Sequence, residues 1–207
     1  MTEDLKIMRD KKVKNSAANT LFLVALEVEL PAATFPSLNI QYTGVGKVNA
    51  AYHAMKNIIA YKPEIVINFG SAGAVKSNIV GLVQVHSVIQ RDMDVQALGF
   101  DLGRTPFETG EDVFILEDCS KIDKNGDGTK VLCSTGDNFV AEAPKLKSDI
   151  VDMELYAIAK VCSREAYPLY SWKFISDNAD NNSSADWESN VSQGINEFTK
   201  NVLSQFI

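Results

Sequence analysis

Two apolar runs, Leu21-Phe22-Leu23-Val24-Ala25-Leu26 and Glu64-Ile65-Val66-Ile67-Asn68-Phe69, flank a stretch of helical spacing through Val48, Ala51, Met55, Ile58 and Ile59. A run without polar alternation fits a strand covered on both faces. The helical stretch stops before Pro63, which cannot continue a helix. Strand, helix and strand in that order predict a right-handed crossover and a parallel pair. Further strands are predicted over 38–42, 80–89, 113–116, 131–133 and 169–175, and helices over 153–165 and 187–206. The expected fold is α/β: one three-layer α/β/α domain over residues 20–207, with a central mixed, largely parallel twisted sheet. Residues 1–19 are polar and read as a flexible lead-in.

Composition removes several function classes. At 207 residues and 45% hydrophobic content, the chain can bury a sizeable core. A net charge of −7 argues against nucleic acid as a partner, since binding phosphates needs a basic face. The start of the chain lacks a signal-peptide core, and no apolar run approaches the roughly 20 residues that cross a bilayer. Cys119, Cys133 and Cys162 form neither a C-x-x-C pair nor a metal-ligand spacing, which fits a reducing compartment. The expectation is a cytoplasmic protein without membrane, metal or cofactor. Asp123 to Gly128 looks like half an EF-hand loop, but Ser134 stands where a liganding Glu is required, so it reads as a turn.

Acids at the ends of apolar runs are the first candidates for chemistry. Glu29 follows the first run, Glu154 opens a helical stretch, and Asp177 ends a strand-like stretch. Ligands of open α/β sheets sit at the carboxyl ends of strands. Each acid also has an ordinary reading: a solvated loop residue for Glu29, a helix-start acid favoured by the dipole for Glu154, a turn for Asp177. Gly70-Ser71-Ala72-Gly73 would let backbone approach a ligand, or simply make a tight turn after the strand. Gly44-Val45-Gly46-Lys47 reads as packing at a helix start.

Five pieces in order carry a resemblance: Tyr42 to Ala50, Asn68 to Gly73, Ser134-Thr135-Gly136-Asp137, Val151-Asp152-Met153-Glu154 and Ser176-Asp177-Asn178-Ala179-Asp180. Together they resemble the nucleoside phosphorylase/nucleosidase superfamily, and most of all its methylthioadenosine/S-adenosylhomocysteine nucleosidases, from about residue 21 onward. The resemblance implies a homodimer that takes a small nucleoside, cleaves its N-glycosidic bond and serves methionine salvage. Glu29 would activate water, with Glu27 a bystander, and Asp177 would protonate the purine. Ser71, Ala72 and Gly73 would line the ribose and water site, Met153 would pack on the ribose, and Glu154 would hold its hydroxyls. Phe139 would stack on the adenine, the Val140 backbone would meet the purine edge, and Ala179 continues the pattern. Trp187 would cover the 5′ end, and Val95 and Leu98 would reach into the partner's 5′ pocket.

Phosphorylases of the superfamily place a Gly-rich, Arg-assisted phosphate cradle where this chain has Glu29, and no arginine lies between Arg9 and Arg91. A carboxylate there would repel phosphate, which favours hydrolysis. Two alternatives remain open: a phosphorylase, or a nucleoside-binding or storage protein without turnover. The chain departs from the family in segments 103–131 and 140–151, which are altered or shortened, and in Asp152, where Glu is more usual.

Overall fold

The computed structural model describes residues 17–122, 129–140, 142, 144–179, 187, 190 and 192–207. The expected lead-in falls mainly outside the described residues, as do the Asp123 to Gly128 turn and Asp180.

Among the described residues, eight strands and three helices appear in the order β1 Thr20–Val24, β2 Asn39–Tyr42, α1 Lys47–Tyr61, β3 Ile65–Ala74, β4 Leu82–Gln90, β5 Val113–Ile115, β6 Val131–Thr135, β7 Ile150–Asp152, α2 Leu155–Arg164, β8 Leu169–Asp177 and α3 Gln193–Asn201. The sheet is mixed. Parallel pairs join β1 to β2 and β3, β3 to β8, and β6 to β4 and β7. Antiparallel pairs join β3 to β7, and β4 to β5 and β8. Because β8 pairs with both β3 and β4, the strands β3, β7, β6, β4 and β8 close into a ring, from which β1 and β2 extend on one side and β5 on the other. Closure leaves the central strands with no free edge.

Period-two alternation assigns the two faces. Leu21 and Leu23 of β1 join a cluster with Ala50, Ala54 and Ile58 of α1 and with Leu155, Ile158 and Cys162 of α2. Phe22 and Val24 join the other, with Trp172 of β8 and Phe198 of α3. The Phe198 ring stacks on Phe69 at 4.0 Å between centroids. Helix α1 ends where Lys62 turns left-handed at φ 46° and donates its N–H to the Ile58 carbonyl, just before Pro63.

Three expectations are corrected. Gly70-Ser71-Ala72-Gly73 is no loop but the continuation of β3, paired throughout with β8. Strand β7 had no sequence prediction, because its residues lie directly before the stretch read as a helix over 153–165. The closing helix is regular over Gln193–Asn201 and gives way to a 3-10 turn at Leu203–Gln205.

One ion pair lies inside the ring. Lys173 Nζ of β8 stands 2.8 Å from Asp152 Oδ2 of β7, with side-chain exposures of 2% and 0%. Burial alone would lower the Lys173 pKa, but Asp152 and then Glu154 raise it above its ordinary value. The Asp152 carboxyl is pushed up by burial but drawn down further by Lys173, and ends below its ordinary value. Removing one partner of such a pair strands the other charge. Lys173→Met is expected to cost about 3–5 kcal/mol in urea denaturation, and the Lys173→Met/Asp152→Asn double variant less than the sum of the singles. Additive losses would show that the two groups do not interact.

Candidate active site

The chemistry-bearing side chains gather where β3, β7 and β8 end and α2 begins. Glu29 lies in a 3-10 turn, Glu27–Glu29, after β1 and is 4% exposed. Its Oε1 accepts from the Ser71 N–H at 2.8 Å and the Ser71 hydroxyl at 2.7 Å, and its Oε2 from the Leu26 N–H at 3.1 Å. A carboxylate offers about four acceptor positions, so, among the described residues, one is left for a further donor. The Trp187 indole N–H donates to the same Ser71 hydroxyl at 2.8 Å.

Glu154 immediately precedes α2 and is buried. Only one of its oxygens has a protein donor among the described residues, Oε1 from the Gly46 N–H at 2.9 Å. Gly46 adopts φ +89°, a conformation that suits glycine, so the turn read as helix-start packing also holds this acid. Burial, then Asp152 and Glu29, push the Glu154 pKa up to about 7 against the pull of Lys173. Met153 beside it lines a 340 Å³ cavity with Val45, Gly46, Val48, Asn49 and Asp137.

Asp177 owes its placement to a β-bulge. Ala72 pairs with Ile175 but Gly73 pairs with Asp177, so Ser176 is the extra residue and the strand is re-aimed at its last position. Asp177 Oδ1 accepts from the Ala179 N–H at 2.9 Å and Oδ2 from the Ser176 hydroxyl at 2.8 Å. Ala179 is left-handed at φ 50°, a strained choice for a residue with a Cβ. A side chain at Gly73 would meet Asp177 Oδ1 at 2.7 Å, and one at Gly70 would meet Glu29 Oε1 at 3.3 Å. Asp177 therefore leaves no room for a side chain at Gly73, and Glu29 crowds Gly70.

Most predicted site residues come together. Ser71, Ala72 and Gly73 run between Glu29 and Asp177, and Val140 packs with Val151 and Ala179 beside Gly73. Phe139 is half exposed on the same loop. Trp187 touches the Glu29 end through Ser71. Val95 and Leu98 lie at a 3-10 turn beyond β4, where Leu98 is 66% exposed, and neither lines the cavity beside Met153.

Sequence reasoning missed Lys173, Asp152 and Arg91. A Cβ at Gly70 would stand 3.5 Å from Lys173 Nζ, so this ammonium lies on the Glu29 side of β3. The available signal was a lone lysine inside a strand that is otherwise apolar or small, tolerated in a core only when paired. Asp152 looked like a mild replacement, yet it also accepts from the Leu155 N–H and the Thr135 hydroxyl. Among the described residues no cluster of His, Cys, Asp and Glu could hold a metal, and no helix is long and apolar enough to cross a membrane.

Two outcomes follow from this geometry. A folded-state pKa raised from 4.5 to about 7 means that Glu154 favours the fold below pH 4.5 and ceases to do so as pH rises through 7. Glu154→Gln should therefore gain on the wild type by up to about 3 kcal/mol between pH 4 and pH 8 in urea denaturation. A pH-independent difference would refute that placement. Gly73→Ala should cost about 1–3 kcal/mol by overpacking, read from its thermal unfolding.

Known proteins resemble this chain in sequence and fold. The sequence profile described as the phosphorylase superfamily matches residues 35–207. A 5′-methylthioadenosine/S-adenosylhomocysteine nucleosidase of Buchnera aphidicola is 33% identical over 183 residues, covering 80% of this chain and 79% of that protein. A Helicobacter pylori structure of the same name superposes with TM-score 0.80 at 18% identity, covering 92% of this chain and 98% of the other. A futalosine hydrolase of the same organism superposes with TM-score 0.77 at 18% identity, covering 90% and 97%. The chain belongs to the phosphorylase superfamily, and within it to the 5′-methylthioadenosine/S-adenosylhomocysteine nucleosidases.

Proposed function

We propose that the protein hydrolyses the N-glycosidic bond of an adenine nucleoside, 5′-methylthioadenosine or S-adenosylhomocysteine, to adenine and a ribose derivative. The observation that carries this reading is the placement of three buried carboxyl groups, Glu29, Glu154 and Asp177, around residues 70–73 of β3 and the start of α2.

Each acid has a distinct task. Glu29 has one acceptor position left after Ser71 and Leu26; a water held there is oriented and loses its proton to the carboxylate. Glu154 keeps most of its acceptor capacity, which suits two vicinal ribose hydroxyls. Asp177, fixed by the bulge, protonates the purine so that it departs neutral, while the ribose becomes cation-like. Met153 packs on the sugar. Phe139 and Val140 meet the base, with Ala179 closing the wall, and Trp187 covers the 5′ end. Phosphate would have to enter beside Glu29, a buried carboxylate that repels it, which favours water over phosphorolysis. The residues present supply this chemistry without a cofactor.

The same reading carries the wider organisation. Residues 20–207 form one domain in which α1 and α2 on one face and α3 on the other make three layers around the sheet. Three buried thiols suit a reducing cytoplasm, where methionine salvage would use the reaction. Helix α1 carries an exposed apolar stripe, Val48 80%, Tyr52 61% and Ile59 62%, with Val45 before it. Such a stripe marks an interaction surface, and a homodimer would cover it. In that dimer Val95 and Leu98 complete the partner's 5′ pocket.

Purified protein incubated with methylthioadenosine in phosphate-free buffer should release adenine. Asp177→Asn and Glu29→Gln should each lower kcat by about 10²–10⁴. Release only on adding phosphate would convert the reading to a phosphorylase, and binding without release to a nucleoside binder. The kcat/KM of the wild type should rise through about pH 7 as Glu154 ionises, and Glu154→Gln should lack that limb. Sedimentation should show a dimer that Val48→Lys/Tyr52→Lys splits; an unchanged mass would place the interface elsewhere.

A further inference from the structure

Arg91, the first residue after β4, is 6% exposed, yet among the described residues its guanidinium bonds no carboxylate. It bonds carbonyls instead. Nη1 donates to Ser134 O at 2.6 Å and Asp152 O at 2.7 Å, and Nη2 to Gly136 O at 3.2 Å and Asn138 O at 2.6 Å. Nη2 also lies 3.5 Å from Asn138 Oδ1, so both terminal nitrogens are used in full, and among the described residues Nε has no partner. Two of the acceptors close β6 and β7, and two belong to the irregular loop that follows β6. A side chain at Gly136 would meet the guanidinium carbon at 2.9 Å, so this glycine exists to let the loop lie against Arg91. The neighbouring Asp92 accepts the Asp137 N–H at 2.8 Å and pairs with Lys47 at the start of α1.

We propose that Arg91 is a positioning residue that fixes the loop 136–140 against the strand end leading into Met153-Glu154, and thereby sets which base the site accepts. The proposal rests on the reading above, in which Phe139 and Val140 meet the base and Glu154 the ribose. Asp152 O, the residue before Met153, receives both Arg91 Nη1 and the Gly136 N–H. One planar group therefore spans the base wall and the ribose clamp, the two halves that must be held in register across the scissile bond. Only arginine offers a rigid fork of this width; the single nitrogen of lysine cannot reach four carbonyls. Charge-assisted bonds of this kind are among the strong ones, so the loop is held without regular secondary structure.

The test compares wild type, Arg91→Lys and Arg91→Ala on methylthioadenosine and its 6-oxo (hypoxanthine) counterpart, in phosphate-free buffer, with thermal unfolding recorded for each. Arg91→Lys should raise KM for the adenine substrate by about tenfold or more while kcat changes less, and should lower the adenine-over-hypoxanthine ratio of kcat/KM by about tenfold. Arg91→Ala should regain preference with millimolar guanidinium but not with equal sodium chloride. Gly136→Ala, which crowds the guanidinium without removing it, should shift the preference the same way and serves if the Arg91 variants fail to fold. Equal losses on both substrates, or an unchanged KM, would overturn the proposal. Absence of release by the wild type would strike the functional reading instead. Adenine binding by calorimetry then decides: a loss confined to the variants supports the assignment, and equal binding, or none by the wild type, overturns it.

Discussion

Asp152 is the group on which the rest of the site depends. Its carboxylate is fully buried and would be costly there unless every acceptor position found a partner. Lys173 supplies the opposite charge, Thr135 a hydroxyl, and the Leu155 N–H one of the orphan donors of α2. Thr135 in turn accepts the Tyr156 N–H. Four elements, β6, β7, β8 and α2, thus meet at one side chain. The start of α2 is fixed by it, and with that start the position of Glu154, the residue just before the helix.

The closed ring explains why the catalytic candidates converge although they are far apart in sequence. Strand β8 pairs with β3 and β4 at once and so closes the ring. Its pairing with β3 is interrupted by a bulge at Ser176, immediately before Asp177, which bends the end of β8. Close packing of Asp177 then excludes any side chain at position 73, and that of Glu29 crowds position 70. Sheet closure, glycine placement and acid orientation are one constraint seen at three levels.

Long elements were legible from sequence because their periodicity runs over many residues: α1 and the strands near 21–24, 65–69 and 169–175 appear where the pattern puts them. The acids were legible as acids at element ends. The pairing of β8 with two strands was not, since register between distant segments leaves no local trace. The continuation of β3 through Gly70-Ser71-Ala72-Gly73 was hidden for a related reason. Glycine normally weakens a strand, and only the groups packed against these positions show why it is needed there. Arg91 and Lys173 carried the faint signal of a cation at the end or middle of a buried strand, but nothing in the sequence says whether its partner is a carboxylate or a set of carbonyls.

The charge balance of the pocket completes the argument for water as nucleophile. Three carboxyl groups, Glu29, Asp152 and Glu154, are buried near one ammonium, Lys173, which is already paired. Asp177 is buried at the far end of residues 70–73, and the buried Arg91 guanidinium is taken up by carbonyls. The electrostatic cost of that crowding is visible at Glu154, whose pKa burial and its acidic neighbours push to about 7. Under the proposed reaction the cost is recovered where it matters. A ribose that becomes cation-like relieves the repulsion among the acids, so the site stabilises the transition state more than the neutral substrate, which is what accelerates a reaction. A phosphate dianion would add to the same repulsion. Under the proposed reaction Lys173, already paired with Asp152, offers phosphate no spare charge, so the buried pair that anchors α2 also favours water.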